Sequence, residues 1–357
     1  MITFNKKKTA QPKPEIDKHY KSDFKHLLRI RDLTPQELSS LVLDAYKIKM
    51  ANSKKIATTM TVGKKAVSFF SKSSSRTKSS WEVACSNLGI FSSFNNATDS
   101  QLGNKESIAD SAKVFSQYYD IAGWRCMKYE DILTFANNAS VPCVNLLCDQ
   151  NHPTQAICDL LTILVHFRRI KGIKIAFIGA CNNNVARSLI EGILMCGGSY
   201  VGIGPKAAHP TQEELSFYQS LASQYGGTVK FSTDLIEVQG VDVIYQDVFL
   251  DLGEQFNLWP SRLALYHGYQ VTKDVMAKAK KECIYMHCLP AINGSDSNYS
   301  EFVKERLSKK FPWVSKGEVE VTAEVFNSAN SVVFQQAQNR LFAMEAILRW
   351  LLAVNHK

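Results

Sequence analysis

The feature that most restricts what this chain can fold into is an alternation of short apolar strands, polar loops and helices. Residues 66–70 (Ala-Val-Ser-Phe-Phe) predict a strand, 71–75 a Ser-rich loop and 77–88 a helix. The order returns with a strand over 173–178, a polar loop over 179–184 and a helix over 185–195, and another strand over 241–245 precedes a loop at Asp247. Strands separated by helices cannot pair as hairpins, so the expected fold class is α/β, with mainly parallel sheets covered by helices on both faces. Thr34-Pro35-Gln36-Glu37 is a capping box with proline at the first helical position, and Leu38, Leu41, Val42 and Ala45 continue a helix to about Met50. A helix beginning after Pro153 is expected to stop through Arg168, Arg169, Lys171 and Gly172, a basic last turn with a glycine end. A domain boundary is expected there. The last helix, over about 336–354, carries Leu341, Phe342, Ile347, Leu348, Leu351 and Leu352 at helical spacing.

Length and composition exclude several classes. The chain has 357 residues, 45% of them apolar, which suits two or three domains with their own cores and excludes disorder for the bulk of it. Nearly half of the net charge of +9 sits in a tail over 1–25, where seven lysines face Glu15, Asp17 and Asp23. The remainder is mildly basic, which fits small anionic substrates better than nucleic acid. The nine cysteines include no C-x-x-C pair, so neither a disulfide framework nor a zinc site is expected, and a reduced, cytoplasmic protein is. No apolar run reaches 18 residues, and no membrane association is expected. Gly202-x-Gly204 lacks the third glycine of a dinucleotide fingerprint and no P-loop occurs, so neither NAD nor ATP is implied.

Ser73-Ser74-Ser75-Arg76-Thr77-Lys78 lies between a strand and a helix, where hydroxyls, a guanidinium and backbone N–H groups meet at a positive helix end. Such a loop reads equally as an anion site or as ordinary helix capping. Further along come Gln101-Leu102-Gly103-Asn104-Lys105-Glu106-Ser107, Arg125, His152-Pro153-Thr154-Gln155, Asn183-Asn184, Asp247 with Gly253-Glu254, His287-Cys288-Leu289-Pro290-Ala291, and Asn339-Arg340. In this order the blocks resemble the aspartate/ornithine carbamoyltransferase family, the ornithine branch in particular, over about 27–352.

The resemblance implies a chemistry for each block. Carbamoyl phosphate offers a phosphate dianion at one end and a planar amide at the other. Ser74, Ser75, Arg76 and Thr77 would hold the phosphate, with Gln101 reaching in from a neighbouring subunit of a trimer or a multiple of trimers. Arg125, His152 and Gln155 would hold the carbamoyl group as an oxyanion hole. Cys288, Leu289 and Arg340 would complete that pocket, while Asn184, Asp247, Asp251 and Leu252 would take the amino-acid end of ornithine; Arg125, His152, Cys288 and Asp247 are the candidate catalytic residues. The implied domains are a carbamoyl-phosphate-binding one over 26–168 plus 338–357, to which the last helix returns, and an amine-binding one over 172–335. No metal or organic cofactor is implied, because the leaving group is already activated. The implied reaction is reversible carbamoyl transfer to the δ-amine of L-ornithine, giving citrulline and phosphate. Departures bear on the second substrate: Asp251-Leu252-Gly253 stands where Ser-Met-Gly is usual, and Lys78, Cys126, Leu146 and Ala180 also differ. Transfer to putrescine or another amine, or a catalytically silent paralogue, are the alternatives.

Overall fold

The protein is described by a computed structural model covering residues 21–51, 58–96, 101–250, 255–294 and 297–356. These residues form two compact units. The first holds the described residues up to Arg169 together with Arg187–Gly192 and those from Gln338 onward; the second holds Ile170–Ala186 and Ile193–Ala337.

The first unit is built on four parallel strands, β1 (Lys65–Phe70), β2 (Phe91–Asn96), β3 (Ile121–Arg125) and β4 (Cys143–Leu147), in the order β2-β1-β3-β4. Helices α1 (Pro35–Met50), α2 (Arg76–Asn87), α3 (Ile108–Tyr118), α4 (Tyr129–Asn138) and α5 (Pro153–Phe167) connect or cover them. The capping box forms as expected: Thr34 Oγ1 accepts from the Glu37 amide at 3.1 Å and Glu37 Oε2 accepts from the Thr34 amide at 2.7 Å. Trp81 seats α2 on the sheet with no exposure. A Cβ at Gly123 of β3 would lie 2.9 Å from the Trp81 ring, so only glycine lets this helix approach so closely. Every residue of α5 from Pro153 to Leu164 is buried, which makes its N-terminus a fixed point.

The second unit repeats the scheme with β5 (Lys174–Ile178), β6 (Ser199–Ile203), β7 (Val229–Ser232), β8 (Val243–Gln246) and β9 (Ile284–His287), all parallel, in the order β7-β6-β5-β8-β9. Helix α6 (Asn184–Met195) follows β5 and α7 (Gln212–Tyr225) follows β6. The last helix, Val333–Val354, begins a turn earlier than its apolar spacing suggested, and its residues from Gln338 onward belong to the first unit. Among the described residues no helix is long and apolar enough to cross a membrane.

Two orders of strands fix where ligands can bind. In each sheet the chain lays down one strand, adds neighbours on one side, and then crosses to the other side. Adjacent loops diverge at that point and open a crevice at the carboxyl ends of the strands. The crevice falls between β1 and β3 in the first unit and between β5 and β8 in the second.

One expectation is corrected. Helix α5 ends at Phe167, and the left-handed residue that closes it is Arg168 (φ 60°), not Gly172. The Arg168 guanidinium hydrogen-bonds the Tyr46 hydroxyl and lies 5.8 Å from the centre of that ring, contacts that offset a conformation normally left to glycine. Gly172 has its own positive φ of 74° later, in the turn leading to β5.

A buried ion pair ties α6 into the first unit. Glu191, with no exposed side-chain area, accepts from Arg31 Nε at 2.9 Å and from the Arg31 amide at 3.0 Å. Arg31→Met should strand this carboxylate and cost about 3 kcal/mol, the low end for a buried pair because Arg31 is partly exposed. Arg31→Met with Glu191→Leu should recover most of the loss in urea unfolding. A single substitution that leaves the urea midpoint unchanged would show that the pair contributes nothing.

Candidate active site

The crevice of the first unit collects most of the residues singled out in the sequence. The loop after β1 is drawn onto the end of β3: the Ser71 amide donates to the Arg125 carbonyl at 2.9 Å, and Trp124 Nε1 donates to Ser71 Oγ at 3.2 Å. Arg125, the last residue of β3, donates from Nη1 to Ser74 Oγ at 3.3 Å. The Ser75 side chain makes no capping bond at the start of α2, so the ordinary capping reading of the Ser-rich loop does not hold. Thr77, in the first turn of α2, is buried and accepts from Arg340 Nη1 at 3.5 Å. Arg340 is only 6% exposed, and its Nε has no hydrogen-bond partner among the described residues.

His152 sits at the head of α5, behind β4. Its amide donates to Ser188 Oγ at 2.8 Å, and its Nδ1 lies 3.3 Å from Thr154 Oγ1. With that hydroxyl as donor, the ring proton is on Nε2 and available to an oxygen acceptor. Burial holds the imidazole well below its ordinary pKa, and the positive charges of Arg340, Arg125 and Arg76 add to the effect. Gln155, one turn into the helix, donates from Nε2 to Asp159 Oδ1 at 2.7 Å. That bond fixes the amide so that its Oε1, without a partner among the described residues, remains an acceptor. The crevice thus presents guanidinium groups and hydroxyls for a dianion, a neutral imidazole donor, and an amide acceptor that suits an NH₂ group.

Gln101 is not brought to this cluster. It is exposed in the turn beyond the edge strand β2, where its carbonyl accepts from the Asn104 and Glu106 amides at 2.9 and 3.2 Å.

The crevice of the second unit holds a different chemistry. Gly179, ending β5, has φ 115°, and a Cβ there would lie 2.3 Å from the Phe249 ring, so the loop can turn only on glycine. The loop delivers Asn183, whose Oδ1 accepts from the Ala186 amide at 2.8 Å as the cap of α6 and whose Nδ2 donates to Asp247 Oδ2 at 2.7 Å. The other oxygen of Asp247 accepts from Cys288 Sγ at 2.7 Å. Asn184 begins α6 beside them. Leu289 adopts φ 57°, and its amide donates to His287 Nδ1 at 2.9 Å. Because an amide can only donate, His287 carries its proton on Nε2, which lies 3.5 Å from the buried Glu320. Asp251 and Leu252 lie outside the described residues.

Sequence reasoning missed Asn183 as the partner of Asp247, Asp159 behind Gln155, and the His287–Glu320 support beneath Leu289. Asn183 and His287 stood in blocks already noted. Asp159 is one helical turn after Gln155, a spacing that could have suggested it, whereas Glu320 has no local signal.

The first crevice thus presents cationic groups and hydroxyls suited to a small anion and the second a carboxylate held on both oxygens, each at the switch point of a parallel sheet. The carbamoyl-phosphate-binding domain of aspartate/ornithine carbamoyltransferases matches residues 25–165, and the Asp/Orn-binding domain matches residues 171–351. The chain belongs to the aspartate/ornithine carbamoyltransferase family. It is 37% identical over 326 residues to the catabolic ornithine carbamoyltransferase of Mycoplasma pneumoniae, covering 89% of this chain and 94% of that protein. It is 35% identical over 324 residues to that of Clostridium perfringens, covering 90% and 95%. Among solved structures it resembles the ornithine carbamoyltransferase of Pyrococcus furiosus, with a TM-score of 0.80 and 33% identity over 91% of this chain and 96% of that one.

The lowered pKa of His152 has a consequence for stability. Above pH 6.5 neither the folded nor the unfolded imidazole holds a proton; below it the unfolded state takes up one that the folded state refuses. Stability should therefore fall as pH drops below 6.5, with a slope of up to about 1.4 kcal/mol per pH unit from this group. Urea unfolding of His152→Asn and the parent at pH 7.5 and 6.0 checks this. The variant should lose less on acidification; equal losses would mean that His152 is not held neutral.

Proposed function

We propose that the chain is an ornithine carbamoyltransferase that transfers the carbamoyl group of carbamoyl phosphate to the δ-amine of L-ornithine, reversibly, giving citrulline and phosphate. The observation that carries this reading is Arg340, buried beside Thr77 and His152 with no carboxylate partner among the described residues. A buried guanidinium is costly unless a counter-charge arrives, and a phosphate dianion supplies one. Ser74, Ser75, Arg76 and Thr77 take the phosphate in this reading. Arg125 and the Nε2–H of His152 take the carbamoyl oxygen, where negative charge grows as the amine attacks. Gln155 Oε1 accepts from the carbamoyl NH₂. Since these donors are aligned before substrate arrives, they favour the charge that develops in the transition state.

Asp247 and Asn184 receive the amino-acid end of ornithine, and Cys288 and the backbone at Leu289 place the attacking nitrogen. Asp247 is already held on both oxygens, which fixes its direction. Asp251 and Leu252 border the same group. The resident chemistry needs no metal or cofactor. The names of the Mycoplasma and Clostridium relatives favour work in the catabolic direction, from citrulline and phosphate.

We further infer a cytoplasmic trimer, or a multiple of trimers, in which Gln101 of the partner subunit completes the phosphate site. The edge strand β2 exposes Phe91 and Phe94, and Val83 of α2 is exposed nearby in sequence, an apolar character that suits contact with another copy.

Initial rates with ornithine, putrescine, agmatine and aspartate test the reading. Ornithine should give saturable citrulline formation with a kcat/KM at least about a hundredfold above the others, because putrescine and agmatine leave the groups built for an α-carboxylate and α-amine unpaired and aspartate has no δ-amine to attack. Asp247→Asn should lower kcat/KM for ornithine by about ten- to a hundredfold. Faster transfer to putrescine would establish the diamine alternative, and no transfer to any amine would establish a silent paralogue.

A further inference from the structure

Beyond the paired ends Arg125 and Leu147, strands β3 and β4 bring one more couple side by side. The Cys126 amide donates to the Leu147 carbonyl at 3.1 Å. Ala122, whose partner is Cys143, donates to the Pro142 carbonyl in the same pattern at 3.0 Å. Cys126 is therefore opposite Cys148. Neighbouring strands lie about 4.8 Å apart, within the span of about 4.4–6.8 Å between the α-carbons of a disulfide. Residues directly opposite each other on neighbouring strands point to the same face, so the two side chains are neighbours. Both belong to one apolar cluster, Cys126 3% exposed and Cys148 fully buried, and neither is in a disulfide.

The surroundings distinguish the two sulfurs. Cys148 Sγ accepts from Asn145 Nδ2 at 3.2 Å and from the Asn151 amide at 3.3 Å. Cys126 Sγ lies 3.1 Å from the Lys128 carbonyl, an acceptor for its proton. Two side-chain and backbone N–H donors thus meet the Cys148 sulfur, which also lies 3.6 Å from the Asn151 carbonyl. The adjacent Cys126 thiol, joined by the hydrogen bonds from Asn145 and the Asn151 amide, lowers the Cys148 thiol below its usual range although burial opposes it. The adjacent Cys148, and then burial, push Cys126 up. An attacking thiolate and a resolving thiol are thus differentiated.

We propose that Cys126 and Cys148 form a modification site that hydrogen peroxide converts to a disulfide, reversibly switching off the crevice of the first unit. The Cys148 thiolate attacks one peroxide oxygen; the S–O bond forms, the O–O bond breaks, and hydroxide leaves with the electron pair and takes up the proton that Cys148 released, as water. Cys126 then attacks the sulfur of this sulfenic acid, the S–S bond forms, the S–O bond breaks, and the departing hydroxide takes the Cys126 proton as water. Overall, two thiols and one hydrogen peroxide give one disulfide and two waters. Burial selects the oxidant, since a small uncharged peroxide can penetrate where a charged, bulky disulfide such as oxidised glutathione cannot. The effect on activity rests on the functional reading above. Cys126 follows Arg125, and Cys148 Sγ is bonded to Asn151, the residue before His152, so turning the two sulfurs into an S–S bond of about 2.05 Å gives up the bonds that hold the loop leading into α5 and the carbamoyl-binding His152 at its head.

The test treats the full-length protein with hydrogen peroxide, blocks remaining thiols by alkylation, and reads peptide masses and carbamoyl-transfer rate in parallel. The expected product is a cross-linked pair of peptides holding Cys126 and Cys148, lighter by two hydrogens, with activity lowered about tenfold or more and restored by dithiothreitol. Cys126→Ser and Cys148→Ser should keep their activity through the same treatment, and oxidised glutathione should leave the parent unchanged. No cross-linked pair would overturn the proposal. So would an activity loss that persists in Cys126→Ser with Cys288 as the modified thiol, or a complete cross-link with unchanged rate. Because the peptide masses do not depend on turnover, a chain without carbamoyl-transfer activity would fail the functional reading while the cross-link still decides the modification site.

Discussion

The first unit depends on one electrostatic constraint: the guanidinium of Arg340 is kept out of water with no carboxylate bonded to it among the described residues. Arg340 is buried against Thr77 and Arg125 reaches Ser74, and burial first, then the charges of Arg340, Arg125 and Arg76, hold the His152 imidazole below its usual pKa. In a medium of low effective dielectric this arrangement would be destabilising unless other contacts hold it in place. They do so at several levels. The loop after β1 is tied to the end of β3, α5 is buried along most of its length, and the Ser188 hydroxyl anchors the head of that helix. The Arg31–Glu191 pair in turn fixes α6, which carries Ser188. Each of these lets a cationic crevice wait for an anion instead of collapsing onto a carboxylate.

The second unit solves the opposite problem. There a carboxylate, Asp247, is the organising charge, and Asn183 and Cys288 hold its two oxygens. Beneath it His287 lies between Glu320 and the Leu289 amide, and the His287 amide itself is held by Gln336, which also reaches Tyr245. An amine nucleophile must lose a proton before it attacks, and its unperturbed pKa lies near the lysine value of about 10.4. A site of fixed geometry around one carboxylate can bind the charged amino-acid end while leaving the reacting nitrogen among weaker donors and acceptors. The two sheets share a topology yet carry charges of opposite sign, set by the loops at their switch points.

How much of this was legible follows from where the information sits in the chain. Strand–loop–helix phasing is local, so β1, α2, β5 and α6 were found close to their observed ends, and the capping box at Thr34 located α1. The end of α5 was misjudged because the stopping residue is Arg168, whose left-handed backbone is offset by the distant Tyr46 ring. No local rule contains Tyr46. Candidate site residues were visible as blocks, and the crevice of the first unit does gather Ser74, Thr77, Arg125, His152, Gln155 and Arg340. Their supports were hidden. Glu320 meets His287 only after β9 and a loop far along the chain have folded together, and the pairing of Cys126 with Cys148 depends on a register that includes a shift between Trp124 and Arg125.

The claim on which the account stands is that Arg340 is the buried cation awaiting a phosphate dianion. Calorimetric titration of carbamoyl phosphate into the parent and into Arg340→Met at pH 8, where His152 is neutral in both, measures it directly. Loss of one charge-assisted contact worth about 1.5–3 kcal/mol predicts a Kd raised by about ten- to a hundredfold, with the unliganded variant as stable as the parent or more so. Equal affinity in the two proteins would contradict the account, as would a variant whose fold collapses without the arginine, since either would make Arg340 a structural residue.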